Sequence, residues 1–228
     1  MKPLISSISK KAIMAVSGLS LCAFLFIHLL GNLTLLMRQD GSFTLTPGGM
    51  ETSDWFTWVA HHYVAIPALF HVMDVGILAL ILLHAVLGVT LWLQNRAARP
   101  VRYVKQKSEG GRTLFSSTMP YTGVAFVGVF LAIHLANFRF GEQDNPSELY
   151  RLVEQVFGKC LWVSLYVGCM VGLFAHLSHG FQSAFQSLGF SHPRYTPWIK
   201  GLGTLYATLV GIGFALLPIL YYLNGGDR

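Results

Sequence analysis

Charge is what this sequence has least of. Only 11% of its 228 residues are charged, where a soluble domain carries about 25%. A soluble core of this length would need far more charged side chains to cover its surface. That excludes an ordinary soluble enzyme and leaves lipid as the solvent. Cysteine is also scarce. Cys22, Cys160 and Cys169 lie inside apolar runs without Cys-x-x-Cys spacing, which excludes a disulfide framework, a thiolate metal site and covalent cofactor attachment through Cys-x-x-Cys-His. Internal repeats and low-complexity linkers are missing as well. The net charge of +6 and isoelectric point near 9.3 do not point to nucleic acid, because the basic residues sit between long apolar runs instead of on a soluble fold.

What the chain has in abundance is apolar length. Hydrophobic residues make up 53% of it and its mean hydropathy is +0.52. Crossing a bilayer takes about 20 residues, and five segments reach that length: Ala12–Met37, Phe70–Leu93, Met119–Phe138, Phe157–Phe181 and Leu202–Leu223. The first follows Lys10 and Lys11 as a signal peptide would. It exceeds an h-region of about 7–15 residues and has no small-x-small cleavage site, so it reads as a retained span. Uninterrupted apolar runs lack the alternation of a barrel, so the expected fold is all-α: a single five-helix transmembrane domain, multi-pass in the cell inner (cytoplasmic) membrane.

Most of the 16 basic residues occupy alternate connections: Lys2, Lys10 and Lys11; Arg96, Arg99, Arg102, Lys105, Lys107 and Arg112; Arg194 and Lys200. The other connections hold most of the acids. The positive-inside rule puts the N-terminus in the cytoplasm and the C-terminus outside. In the outer connections, Asp54-Trp55-Phe56-Thr57-Trp58 suits a short helix in the aromatic belt. Asn145-Pro146-Ser147-Glu148 carries a cap, an N1 proline and a Glu three residues after the cap, so the fourth helix is expected to start near Pro146. Its apolar pattern stops at Gly189, a helix terminator.

Ionisable residues inside spans are costly and mark function by default. His28, His84, His134, His176 and His179 fall in four of the five spans. A single such histidine is as well explained by a hydrogen bond to a neighbouring helix. Four helices each supplying one is harder to assign to packing. At 1.5 Å rise per residue, His28 lies about 25 Å from the inner edge, His134 about 24 Å, His84 about 15 Å and His176 about 9 Å. Of the possible pairings, only His28 with His134 and His84 with His176 match in depth. Two axial imidazoles from facing helices are what a b-type haem needs.

Glycines on the same stripes offer clearance for a macrocycle. Gly168, Gly172, His176 and Gly180 recur every four residues, as do Gly76, Leu80, His84 and Gly88. Gly123 precedes His134 by three turns, and Gly31 and Asn32 follow His28. The competing reading of such stripes is helix packing. Gly88, Gly172 and Asn32 are candidate cofactor contacts, and His179 a candidate partner for a haem propionate or a neighbouring backbone. The fifth span, with Gly211, Gly213 and Pro218 but no histidine, reads as scaffold. His61, His62, His71 and His192 sit at interfaces or in loops and receive no role.

The stretches Phe26-Ile27-His28-Leu29-Leu30-Gly31-Asn32, His84-Ala85-Val86-Leu87-Gly88, Ile133-His134-Leu135-Ala136-Asn137-Phe138 and His176-Leu177-Ser178-His179-Gly180 resemble the haem-bearing helices of the di-haem cytochrome b subunit of succinate dehydrogenases and fumarate reductases. The resemblance spans roughly Lys10 to Leu223. It implies a membrane anchor for two cytoplasmic partners, a flavoprotein with FAD and an iron–sulfur protein. Two b haems would pass electrons to or from a quinone, usually menaquinone. It assigns an inner, proximal haem to His84 and His176 and an outer, distal haem to His28 and His134, and it leaves the dicarboxylate chemistry to a partner subunit.

Some relatives in that family carry a proton-conducting glutamate two residues before the ligand of the fourth haem-bearing helix. Phe174 stands there, which argues against that proton route. Quinol oxidation near the outer haem needs a proton acceptor, for which Asp74, Glu51 and Asp54 are candidates; a plain headgroup carboxylate is the equal alternative for Asp74. The basic stretch from Arg96 to Arg112 would dock the iron–sulfur subunit beyond its role in topology. The rival readings are the di-haem b subunit of a hydrogenase or formate dehydrogenase, and a haem-free transporter with histidines lining a path.

Overall fold

The computed structural model describes residues 6–37, 42–45, 56, 58–59, 67–98, 118–140 and 146–225. Among them all regular structure is helical, apart from one bridge between Met37 and Phe43. Helix α1 (Ser7–Leu33) starts where Ser6 adopts an extended backbone and its hydroxyl accepts the Ser9 N–H at 3.1 Å, satisfying an orphan donor of the first turn. It closes in a tight turn, Thr34–Leu36. Helix α2 (Pro67–Ala97) opens on a proline, whose missing N–H costs nothing there. At its far end Gln94 accepts from the Lys10 ammonium at 3.4 Å. The start of α1 and the end of α2 therefore share one end of the bundle.

Helix α3 (Met119–Arg139) is continuous but irregular. Two widened stretches with i→i+5 bonding, Thr122–Gly128 and Leu135–Arg139, flank an α-helical middle at Val129–His134. Such widened turns rotate the following side chains relative to a regular helix and cluster at functional sites. Helix α4 (Pro146–Phe157) and helix α5 (Cys160–Ser187) are separate. The sequence reading of one helix from Pro146 is therefore corrected. Gly158 N–H closes onto Glu154 O at 2.8 Å, and a Cβ at Gly158 would come within 2.9 Å of that carbonyl. Lys159 then turns to φ −107, ψ 121, and the chain restarts as α5. The expected terminator is in place: Gly189 takes φ 91. Phe190 N–H reaches Phe185 O at 2.9 Å and Gly189 N–H reaches Gln186 O at 3.1 Å, a Schellman ending. The Phe185 and Phe190 rings pack across it. Helix α6 (Thr196–Gly225) is last.

Among the described residues, five helices are long and apolar enough to cross a membrane: the one through Leu36, α2, α3, α5 and α6. Each matches a predicted span, with ends shifted by a few residues. Large apolar side chains including Ile27, Val75, Val86, Val171, Leu205 and Leu223 face outward, the inverse of a soluble surface. The stretch Asp54–Trp58 read as a belt helix lies largely outside the described residues, as do Glu51 and most of 96–112.

Helix α5 is central and packs on α6, α1, α3 and α4. Close approach to α6 relies on glycine. Added Cβ atoms would meet Phe181 at Gly203 (2.9 Å), Phe174 at Gly211 (3.3 Å) and Leu29 at Gly213 (2.9 Å). This is the small-residue packing common between membrane helices, and it includes Gly211 and Gly213 of the fifth span. Phe174 thus faces α6. Helix α4 is strongly amphipathic and buries Tyr150, Val153, Val156 and Phe157 against Tyr166 of α5 and Leu217 and Tyr221 of α6, closing one end of the bundle. Helix α2 is peripheral. It packs on α1 and the first turn of α3, and Leu91 is its one buried apolar side chain among the described residues.

Candidate functional site

Four of the intraspan histidines meet in two pairs. His28 of α1 faces His134 of α3 with ring centroids 5.8 Å apart and planes at 86°. His84 of α2 faces His176 of α5 at 6.3 Å and 78°. Neither α1 with α3 nor α2 with α5 is among the closely packed helix pairs of the described residues. The imidazoles therefore reach across gaps between helices.

The pairs occupy two levels. On α1, Ser17 and Gly18 touch His84, ten residues before His28, so the levels are about 15 Å apart along the helix. On α3, Gly123 touches His176, eleven residues before His134, giving a similar spacing of about 16 Å. Helices α1 and α3 each give a histidine to one level and a small-residue seat to the other.

The surroundings of the two pairs differ. His84 Nδ1 lies 3.2 Å from Ser17 Oγ and 3.2 Å from Met14 O. A Cβ at Gly18 would stand 3.0 Å from His84 Cε1, and one at Gly123 3.2 Å from His176 Cε1. These glycines make room for the rings. Gly123 therefore serves His176 and not His134, whose stripe suggested it. The 28/134 pair is enclosed by aromatic rings instead. Phe24 stacks on His28 at 5.3 Å and Phe214 tilts against it at 5.7 Å. Phe130 stacks on His134 at 5.3 Å, with Phe138 at 5.4 Å and Tyr166 at 6.3 Å. Asn137 Nδ2 donates to Tyr166 Oη at 3.3 Å and steadies that ring.

The other candidates separate by position. Gly172 is filled by the Phe126 ring, so it is a packing notch and offers no clearance. Gly88 has only Met14 Sδ nearby, 3.9 Å from an added Cβ. Asn32 turns back to donate to the His28 carbonyl at 2.7 Å. His179 lies one turn past His176, with its Nδ1 3.5 Å from Gln182 Nε2. Asp74 forms a salt bridge with Arg139: Oδ2 accepts from Nη2 at 2.8 Å and from Nε at 2.9 Å. Asp74 precedes His84 by ten residues, so it sits at the level of the 28/134 pair, about 15 Å away along the helix. Glu51 and Asp54 lie outside the described residues, as do His61 and His62. His192 stacks on Tyr195 in the turn before α6.

Two imidazoles holding one metal from opposite sides, each at about 2 Å, keep their centroids roughly 6 Å apart. Both pairs have that spacing. Among the described residues no three His, Cys, Asp or Glu side chains converge on one point, so each pair supplies two donors only. A bare zinc ion takes four ligands. A haem brings its equatorial donors with it and asks the protein for axial ones. The Nδ1 atoms of His134 and His176 are buried without a partner. In donor type and ring spacing, each pair is what a bis-imidazole haem would ask of the protein.

Met14, Ser17, Gly18, Tyr166 and Arg139 were not singled out by sequence reasoning. The signal for Ser17-Gly18 was there: two small residues stand on α1 at the depth of the partner pair. No family model, no curated protein and no solved structure matches the chain.

Proposed function

We propose that this chain is the di-haem cytochrome b anchor of a succinate:quinone oxidoreductase, carrying electrons between a quinone and a cytoplasmic iron–sulfur subunit. The observation that supports this most is the meeting of four intraspan histidines as two facing pairs at two levels. His84 and His176 would hold the inner haem, and His28 and His134 the outer one. A bound b haem supplies reversible one-electron chemistry.

The remaining work falls to the chain's own side chains. Phe24, Phe130, Phe138 and Phe214 exclude water around His28 and His134. Helix α4 covers that end through Phe157, which packs on Tyr166 at 5.2 Å. Asp74 and Arg139 are a charged pair at the outer level. There Arg139 can donate to a quinone oxygen and Asp74 can take a proton released on quinol oxidation. Lys10, Lys11 and Arg96 share the end nearer the 84/176 pair, and the positive-inside rule makes that end cytoplasmic. It is the side on which an iron–sulfur subunit, itself joined to a flavoprotein, would dock. The cell inner membrane and menaquinone belong to this same reading.

A reduced-minus-oxidised spectrum of the purified chain with haem quantification tests it. Two b haems per chain are expected. A well-folded chain with no b-haem bands ends the proposal. A covalent-flavin subunit copurifying with the chain separates it from hydrogenase- or formate-dehydrogenase-type partners.

A further inference from the structure

We infer that Ser17, with the Met14 carbonyl, fixes the His84 imidazole as the Nδ1-protonated tautomer and thereby sets the potential of one haem and not the other. This rests on the proposal that His84 is a haem ligand. Ser17 is 2% exposed, and its hydroxyl donates to Met14 O at 2.9 Å. With that proton engaged, the hydroxyl oxygen is left as an acceptor. His84 Nδ1 stands 3.2 Å from it and 3.2 Å from Met14 O. A carbonyl oxygen has no proton to give, so the close atom of the ring must be the donor. Nε2 is then the nitrogen with the free lone pair, the one that can ligate iron.

Gly18 completes the seat. Any side chain there would press on His84 Cε1 from 3.0 Å. Met14, Ser17 and Gly18 fall on one turn of α1 and hold the ring from one side. The facing ligand has no such support, since His176 Nδ1 is buried without a partner. His134 Nδ1 is likewise buried without a partner, and the close ring contacts of His28 and His134 are Phe24, Phe214, Phe130, Phe138 and Tyr166. A ligand imidazole whose second nitrogen donates a hydrogen bond is a stronger electron donor and favours the oxidised metal. Ser17 therefore acts as a positioning residue whose effect is confined to one level.

The test is a potentiometric titration of both b haems in the intact complex. Ser17→Ala is expected to raise one midpoint by roughly the equivalent of a tenfold change in the redox equilibrium, about 59 mV for one electron, and to leave the other in place. Ser17→Thr, which restores a hydroxyl, returns the potential. Two haems bound with both midpoints unmoved, or with both moved equally, overturn the inference while leaving the haem proposal standing. A wild-type chain without b haem fails that proposal instead. Should Ser17→Ala not accumulate, Gly18→Ala is titrated in its place. It keeps the hydroxyl but pushes the ring, and a shift at one haem supports the seat. No shift, or a shift at both, refutes it.

Discussion

The two histidine levels reach similar ring spacings by different means. At the 84/176 level the rings rest on missing side chains, Gly18 and Gly123, and one ring is tied by hydrogen bonds to Ser17 and Met14. At the 28/134 level they are wedged among Phe24, Phe130, Phe138, Phe214 and Tyr166. The first environment is polar at one atom and intolerant of added volume. The second is apolar, and its hold on the rings is spread over many contacts. One construction concentrates its effect in few atoms and the other distributes it, so the two levels should fail differently when altered.

The largest expected effect is loss of a whole cofactor. His84→Ala and His176→Ala should each abolish the same half of the b-haem absorbance, and His28→Ala and His134→Ala the other half. If His84→Ala and His134→Ala removed one haem between them, the comparison would collapse, because the levels would not be separate sites. Next comes Gly123→Val. Its branched side chain has no space beside His176, so the 84/176 haem should be lost while the 28/134 haem keeps its spectrum. An unchanged spectrum would mean that the glycine seat is irrelevant.

Asp74→Asn should leave both haems in place and slow quinol oxidation by roughly 10²-fold, the lower range for removing a general base. Unaltered turnover would reduce the Asp74–Arg139 pair to a structural clasp. The smallest effect belongs to the distributed level. Tyr166→Phe removes the bond from Asn137, worth about 0.6 kcal/mol on average between membrane helices, and the 28/134 haem should remain. A midpoint shift there as large as that of Ser17→Ala would erase the contrast between the levels.

Much of this architecture could be read from the sequence because membrane chemistry leaves few options. Apolar length fixed the helices, and rise per residue put His28 level with His134 and His84 with His176. The features that stayed hidden depend on rotation and contact. The widened turns of α3 undo the simple face arithmetic that linked Gly123 to His134. The stripe through Gly172 and His176 was real, yet Phe126 fills it. Nothing in helical periodicity distinguishes a notch for a ring of the protein from one for a ligand. The Gly158–Lys159 break was missed because the apolar pattern runs through Phe157 on both readings. The Arg139 partner of Asp74 is 65 residues away in the chain, beyond the reach of any local rule.

The peripheral seat of α2 bears on how the bundle is assembled. With Leu91 as its one buried apolar side chain among the described residues and α1 as its main neighbour, α2 gains little from packing. His84 is its deepest link to the centre, through His176 of α5. A ligand bound only by the assembled state stabilises it by about 4.1 kcal/mol when present at a thousand times its dissociation constant. On the haem proposal, cofactor loading at this level would fasten the second helix to the fourth span, and a chain without it would carry a loosely held helix open to quality-control proteases.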